Sequence, residues 1–164
     1  MRNLSLLCLL AAFFSTSASA GFLIDPYIGT GHYKSTADLS ALEESETITA
    51  SGARVGYSFL LFSAGVDYQM ASVDGSDSTN TSIFVGVDMP ILVRAWAEFF
   101  VSSDVEGDVE FKDGTSIGLG FTGLPFVSLN VELQNINYEA ELLGAKYDVK
   151  TAATVFSISL PLDL

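Results

Sequence analysis

Apolar and polar residues alternate with a period of two over much of this chain of 164 residues. In the segment 127–134 every odd-numbered residue is Val or Leu, whereas every even-numbered residue is polar. A similar alternation is present in the segments 62–70, 93–101, 117–122 and 155–160. This period is typical of a β-strand with one apolar face and one polar face, so the pattern predicts an all-β fold.

The pattern predicts eight strands, and the connections between them alternate in length. The strands cover residues 22–35, 47–59, 62–73, 80–89, 92–104, 114–122, 127–140 and 147–160. The second, fourth and sixth connections are short, and the others are longer and polar. In an antiparallel meander all the short connections then lie at one end and all the long ones at the other. No linker or shift in composition divides the series, which indicates one domain.

The first 20 residues have the features of a cleaved secretory signal peptide. Arg2 precedes a short apolar run over residues 4–14, and Ala18-Ser19-Ala20 is a small-residue cleavage site. The apolar run is too short for a transmembrane helix, which needs about 20 residues. We expect cleavage after Ala20, which leaves residues 21–164 as the domain formed by the eight predicted strands.

Composition excludes several classes of function. Twenty acidic residues against seven basic ones give a formal net charge of −13, which opposes binding to nucleic acid. With one Cys and one His, the chain has neither a disulfide framework nor a Cys/His metal site, and no cofactor is predicted. Hydrophobic residues nevertheless make up 49% of the chain, whereas charged residues make up only 16%.

An eight-stranded antiparallel meander can close into a barrel in water or in lipid, and the distribution of charge favours the barrel in lipid. A barrel in water has an apolar interior and a charged exterior, whereas a membrane barrel has the reverse arrangement. The polar strand face is small and rich in glycine, as a narrow interior requires. Fourteen of the acidic residues lie in or beside the long connections: Asp38, Glu43, Glu44, Glu46, Asp74, Asp77, Asp104, Glu106, Asp108, Glu110, Asp113, Glu139, Glu141 and Asp148.

The chain after Ala20 resembles the small eight-stranded outer-membrane barrels, the family of the OmpA transmembrane domain, OmpX and OmpW. The segment 25–33, DPYIGTGHY, is similar to the aromatic-Gly-x-Gly first strands of these barrels. Their C-terminal assembly signal, which usually ends in Phe, is similar to the alternating residues Phe156, Ile158, Leu160, Leu162 and Leu164. The resemblance implies an eight-stranded antiparallel up-and-down transmembrane β-barrel with short periplasmic turns and long acidic external loops. It also implies insertion by the outer-membrane assembly machinery of a Gram-negative bacterium.

The short turns predict a register, and the register predicts a charge network inside the barrel. A turn at 60–61 places Arg54 opposite Asp67, and a turn centred on residue 91 places Asp88 opposite Arg94. The same reasoning places Phe84 opposite Glu98 and Gly118 opposite Glu132. The predicted interior network comprises Arg54, Asp67, Asp88, Arg94, Glu98 and Glu132. The register also turns Trp96 inward, which is unusual because Trp is enriched at membrane interfaces.

These features predict a monomer in the cell outer membrane with a structural role, or with a surface-interaction role through acidic external loops. A lumen filled by side chains opposes bulk transport. The alternatives are a narrow ion or small-molecule channel, a lipid-modifying enzyme with His32 as its only candidate base, and a soluble periplasmic ligand-binding barrel. The expected partners are outer-membrane lipid and lipopolysaccharide, bound through divalent cations, and the assembly machinery; an enzyme is not expected.

Overall fold

Eight long strands and one short strand make up most of the computed structural model, which describes residues 20–37, 40–89, 91–105, 109–142 and 145–164. The strands are β1 (Ala20–Ala37), β2 (Ser40–Phe59), β3 (Phe62–Val73), β4 (Ser76–Met89), β5 (Val93–Val105), β6 (Val109–Phe121), β7 (Ser128–Leu142), β8 (Ala145–Ser159) and β9 (Leu162–Asp163). The predicted signal peptide, apart from Ala20, lies outside the described residues.

The eight long strands close into a barrel. Each strand from β2 to β8 pairs antiparallel with the strand before it, and β8 pairs antiparallel with β1. Closure gives each of the eight long strands a hydrogen-bonded neighbour on both sides, as a sheet in hydrocarbon requires. The predicted antiparallel up-and-down barrel of eight strands is confirmed.

The hairpin between β3 and β4 is tighter than the sequence pattern predicted. Residues 74–79 were expected to form a polar connection, but β4 begins at Ser76 and only Asp74 and Gly75 form the turn. Both turn residues have positive φ, 48° and 84°, as a two-residue hairpin of the Asp-Gly type requires. The acidic residue Asp77 therefore lies on a strand that continues the barrel wall, and this part of the expected long loops was wrong. The tips of the other outer hairpins, at 38–39, 106–108 and 143–144, lie outside the described residues.

We call the end of the barrel that carries the short turns its lower end. At the lower and middle levels of the barrel wall, the outward and inward faces differ in polarity. Apolar side chains on the outward face are exposed, for example Ile28 at 68%, Phe62 at 64% and Ile117 at 61%. On the inward face, charged and polar side chains are buried, for example Asp25 and Glu98 at 1%. This arrangement suits a barrel whose outer surface contacts lipid chains. No helix long and apolar enough to cross a membrane occurs in the described ranges.

The C-terminal segment completes the lower end of the wall. The pairing of β8 with β1 ends beside Pro161, whose ring nitrogen cannot donate a hydrogen bond, and β9 then pairs with residues 23–24 of β1. Reciprocal hydrogen bonds of 2.9 Å join the backbones of Leu164 and Phe22. The side chains of the predicted assembly signal all lie exposed on the outward surface: Phe156, Ile158, Leu160, Leu162 and Leu164.

Candidate functional site

One buried guanidinium, that of Arg54, lies at the centre of the barrel interior. Its Nη2 donates to Glu132 Oε2 at 2.9 Å, its Nε donates to Glu98 Oε1 at 3.2 Å, and its Nη1 donates to Asp25 Oδ2 at 3.4 Å. A fourth carboxylate, that of Asp67, lies 3.8 Å from Nε. Each of these side chains is at most 5% exposed, so Arg54 is the common partner of four carboxylates that water barely reaches.

The strand register brings this group together from five strands. Arg54 on β2 is paired with Asp25 on β1 and with Asp67 on β3, as direct cross-strand neighbours. Glu98 on β5 and Glu132 on β7 come from more distant parts of the wall, and Arg54 reaches them because the lumen of an eight-stranded barrel is about one side chain wide. The lumen is therefore bridged at this level by direct side-chain contacts.

Two aromatic rings pack against the same guanidinium. The Arg54 carbon Cζ lies 4.3 Å from the centroid of the Trp96 ring and 4.8 Å from that of Tyr27, which are cation–π distances. The Tyr27 hydroxyl also donates to Asp67 Oδ2 at 2.9 Å. Trp96 has space inside the barrel because Gly118 is opposite it on β6, where a Cβ atom would overlap the indole ring. The inward orientation predicted for Trp96 is thus present in the structure.

A second ion pair lies below the first group. Arg94 Nε donates to Asp88 Oδ1 at 2.6 Å, and Arg94 Nη1 donates to Asp25 Oδ2 at 3.4 Å. Asp25 therefore links the two arginines, while its other oxygen, Oδ1, is buried without a partner among the described residues. Asp88 is the most accessible member, since its side chain is 35% exposed.

The structure brings all six predicted network residues into these two linked groups, and it adds Asp25 and Tyr27, which the sequence reasoning missed. Their positions depend on the pairing of β1 with β2, whose connection was long and polar and so offered no turn from which to derive a register. Pro26 and two glycines also interrupt the alternation of apolar and polar residues within β1. Asp25 and Tyr27 lie four and two residues before Gly29 in the segment DPYIGTGHY, whose sequence signal is the resemblance to the first strands of outer-membrane barrels.

A layer of side-chain amides lies above the charged group. Gln134 Nε2 donates to Glu132 Oε1 at 2.8 Å and to Gln69 Oε1 at 3.3 Å, and Asn80 Nδ2 donates to the same Gln69 oxygen at 3.1 Å. Ser103 donates to Asn80 Oδ1 at 2.6 Å. Neutral groups thus satisfy the hydrogen bonds at the upper boundary of the charged group.

A vestibule of about 210 Å³ opens above the amide layer, and both apolar and polar side chains line it. Its apolar lining includes Ile48, Ala71 and Ala153 from one buried cluster and Ile136 and Tyr138 from a second. Its polar lining includes Glu46, Ser78, Asn80, Gln134 and Thr151. The expectation of a polar interior was therefore wrong for the two apolar clusters at this upper level. Part of the reason is a β-bulge in β5 and another in β6, which change the inward face of these strands.

The outer rim carries an exposed ion-pair network. Lys112 Nζ lies 2.8 Å from Asp148 Oδ1 and 3.9 Å from Glu139 Oε2, and Lys146 also pairs with Glu139. The hydrogen bond and positive charge of Lys112 lower the pKa of Asp148 below its ordinary value. His32, the candidate base, is exposed on the outward face between Thr47 of β2 and Thr154 of β8. Within the described ranges, no three His, Cys, Asp or Glu side chains are arranged to hold a metal ion.

Solved structures with the same fold are outer-membrane barrels. The crystal structure of Neisserial surface protein A aligns with a TM-score of 0.55 and 14% identity over 87% of this chain and 98% of that one. The solid-state NMR structure of the outer membrane protein AlkL in DMPC bilayers aligns with a TM-score of 0.53 and 12% identity over 92% of this chain and 94% of that one. No family model matches the sequence. A search of curated proteins also found no match.

The shared fold agrees with the physical character of the wall. A closed sheet whose outward face is apolar and whose inward face holds buried charge can satisfy its backbone and its side chains in a bilayer. The protein is a closed eight-stranded β-barrel with the fold of these outer-membrane barrels.

Proposed function

We propose that this protein is a monomeric, non-conducting outer-membrane barrel that acts as a structural element or as a surface-interaction protein through its outer end. The observation that carries the proposal is the bridging of the lumen by Arg54, which contacts carboxylates from β1, β3, β5 and β7. The rings of Trp96 and Tyr27 pack against the same guanidinium, at 4.3 and 4.8 Å from its Cζ. An ion crossing this level would have to displace buried ion pairs, at a high cost in free energy.

The outer end is the part of the barrel that is available for interaction. Exposed acidic side chains, such as Asp77, Asp104 and Glu141, lie on the outer parts of β4, β5 and β7. They lie at paired strand positions, opposite Ser72, Thr79 and Lys146, which favours an acidic surface of fixed geometry. No enzymatic role is proposed, because His32 faces outward between two threonines.

Conductance in planar lipid bilayers tests the closed lumen. We expect the wild-type protein to give no resolved single-channel current, and Lys112→Ala at the rim to behave in the same way. A steady current through the wild-type barrel would contradict the proposal. The folded state of each sample is checked by its shift on SDS gels upon boiling, which would also detect a protein that does not form a membrane barrel.

A narrow gated ion path is a second candidate function, and one observation favours it. Four carboxylates share a single guanidinium, so Arg54 has alternative partners available on different sides of the lumen. If partner exchange opens the path, Glu98→Gln changes the open probability, whereas Lys112→Ala does not. A current that is the same in both variants would contradict gating by Arg54.

We further propose that residues 1–20 are a cleaved signal peptide and that the outward C-terminal side chains form the assembly signal. The exposed alternating pattern ending in Leu162 and Leu164 supports recognition by the assembly machinery. Changing Leu164 to Phe, the usual final residue, should increase the assembled fraction in outer membranes, and Leu164→Asp should decrease it. Equal assembly of both variants would contradict this role.

A further inference from the structure

The lysines of the chain are confined to one side of the barrel. All four lie on β1, β6 and β8, which together with β7 form a continuous arc of the wall: Lys34, Lys112, Lys146 and Lys150. Lys112 and Lys146 form ion pairs with carboxylates of the rim. Lys34 and Lys150 form no ion pair within 4.0 Å with the side chains that the structure describes, which do not include those of residues 40–45 on β2. The arc therefore contains two ammonium groups that no described carboxylate contacts directly, although Asp148 lies two positions before Lys150 on β8.

The strand register makes Lys34 and Lys150 neighbours. Lys34 is paired with Ala152, and Lys150 is paired with Thr36, so the two lysines are diagonal neighbours across the β1–β8 ladder. Diagonal Cβ atoms on one face of an antiparallel pair lie about 7–8 Å apart. Both side chains are exposed on the outward face. At this spacing, two flexible ammonium groups repel each other in the absence of a ligand and can both contact a single anionic group.

The height of the pair on the barrel wall indicates what that anion is. Lys34 lies twelve positions after Phe22, which is exposed at the lower end of the outward apolar surface. A strand rise of 3.3 Å per residue and a tilt of about 40° place Lys34 about 30 Å above Phe22, slightly more than the height of about 25 Å of the apolar band of such barrels. No Asp, Glu, Lys or Arg lies at the outward positions between them, from Ile24 to His32. The two lysines therefore lie just above the apolar band, at the level of the lipid headgroups.

We propose that Lys34 and Lys150 form a binding site for the phosphate of an outer-leaflet lipid headgroup. Below the pair, uncharged outward residues of β1 and β8 lead down to the apolar wall, which begins at Ile28 and Phe156, so a membrane lipid reaches the pair laterally. On the water side, Asp148 and Glu139 of the rim repel a dissolved anion. The contact is direct and needs no bridging cation, in contrast to the divalent bridging expected from the acidic composition. The proposal depends on the membrane location but is independent of whether the lumen conducts ions.

Retention of lipid by the folded protein tests the site. Full-length protein after signal cleavage is mixed in detergent with bisphosphorylated lipid A, with its dephosphorylated form, or with bisphosphorylated lipid A and excess inorganic phosphate together. Each mixture is prepared with and without a chelator, and bound lipid is counted by native mass spectrometry. We expect selective retention of the phosphorylated lipid. Lys34→Gln with Lys150→Gln should lower its retention by about tenfold, because charge-assisted hydrogen bonds are lost. The matched control, Lys112→Gln with Lys146→Gln, removes the same charge from lysines that already have partners and should change retention less than about twofold.

Several results would overturn the proposal. Equal losses in the two double variants would indicate unspecific attraction, and retention that disappears with the chelator would indicate cation bridging. Full competition by inorganic phosphate would indicate a site for free anions. If the Gln variant does not show the gel shift of a folded barrel, Lys34→Arg with Lys150→Arg replaces it, and loss of the phosphorylated lipid from this folded, charge-preserving variant would contradict binding by positive charge.

Discussion

The lower half of the barrel interior is filled by buried ion pairs, whereas the upper half contains an open cavity. In the lower half, Arg54 holds four buried carboxylates in direct contact, and aromatic rings fill the remaining space. In the upper half, a wall of polar side chains and two buried apolar clusters surrounds a cavity of about 210 Å³ above the amide layer. Removing one partner of a buried ion pair is costly, whereas an open cavity leaves room for a larger side chain. Sensitivity to substitution should therefore fall steeply from the lower half to the upper half.

Arg54→Ala should cause the largest loss of unfolding free energy. It leaves Asp25, Asp67, Glu98 and Glu132 without their shared cation, and removal of one partner of a buried ion pair costs about 3–5 kcal/mol. Chemical denaturation of the folded barrel in lipid vesicles measures the loss of unfolding free energy. Arg54→Lys keeps the charge and should recover part of the stability. An Arg54→Ala barrel as stable as the wild type would show that the lower half is not held together by this cation.

Arg94→Ala should have a smaller effect in the same direction. Arg94 pairs with Asp88 and with Asp25, but Asp88 is partly exposed, so water replaces part of the lost interaction. We expect a loss of about 1–3 kcal/mol, which the same denaturation experiment measures. If this loss equals that of Arg54→Ala, the two ion-pair groups act as one unit rather than as a buried centre with an accessible edge.

Two substitutions that each enlarge a side chain, one in each half, compare the packing of the two halves directly. At Gly118 an added Cβ would overlap the indole of Trp96, so Gly118→Ala should cost about 1–3 kcal/mol through overpacking. Ala71→Val adds volume beside the vestibule, where space is available, and should change stability by less than about 0.5 kcal/mol. Near-ultraviolet circular dichroism of Trp96 gives an independent signal for the first variant. Equal costs at both positions would contradict the difference in packing.

The rim pair of Lys112 and Asp148 should have the smallest effect. The lowered pKa of Asp148 means that its ion pair stabilises the folded state above the unfolded-state pKa of about 3.9. This stabilisation is lost as the pH falls through the lower pKa of the folded state. Asp148→Asn should therefore lower the denaturation midpoint slightly at pH 7 and not at pH 2, and high salt should remove the difference. A larger effect at pH 2 than at pH 7 would reverse the sign and contradict the assignment.

Much of the fold was predictable because it depends on a local pattern. Alternation with a period of two identifies strands and their faces, and the short turns determine register by counting. The pairs Arg54–Asp67, Asp88–Arg94 and Gly118–Glu132 are present in the structure for this reason. The Asp74-Gly75 turn also has a local sequence signal, since Asp-Gly is typical of a two-residue hairpin, although the polar composition of residues 74–79 predicts a longer connection.

The sequence by itself determined the eight strands, the lipid-facing surface and the inward direction of most strand charges, because each depends on neighbours along the chain or across a short turn. Only the tertiary structure decided which charges share a partner, since Arg54 meets Glu98 and Glu132 across the lumen and not along any hairpin. It also decided the apolar vestibule and the adjacency of Lys34 and Lys150. That adjacency exists only because the first strand and the last long strand meet when the barrel closes.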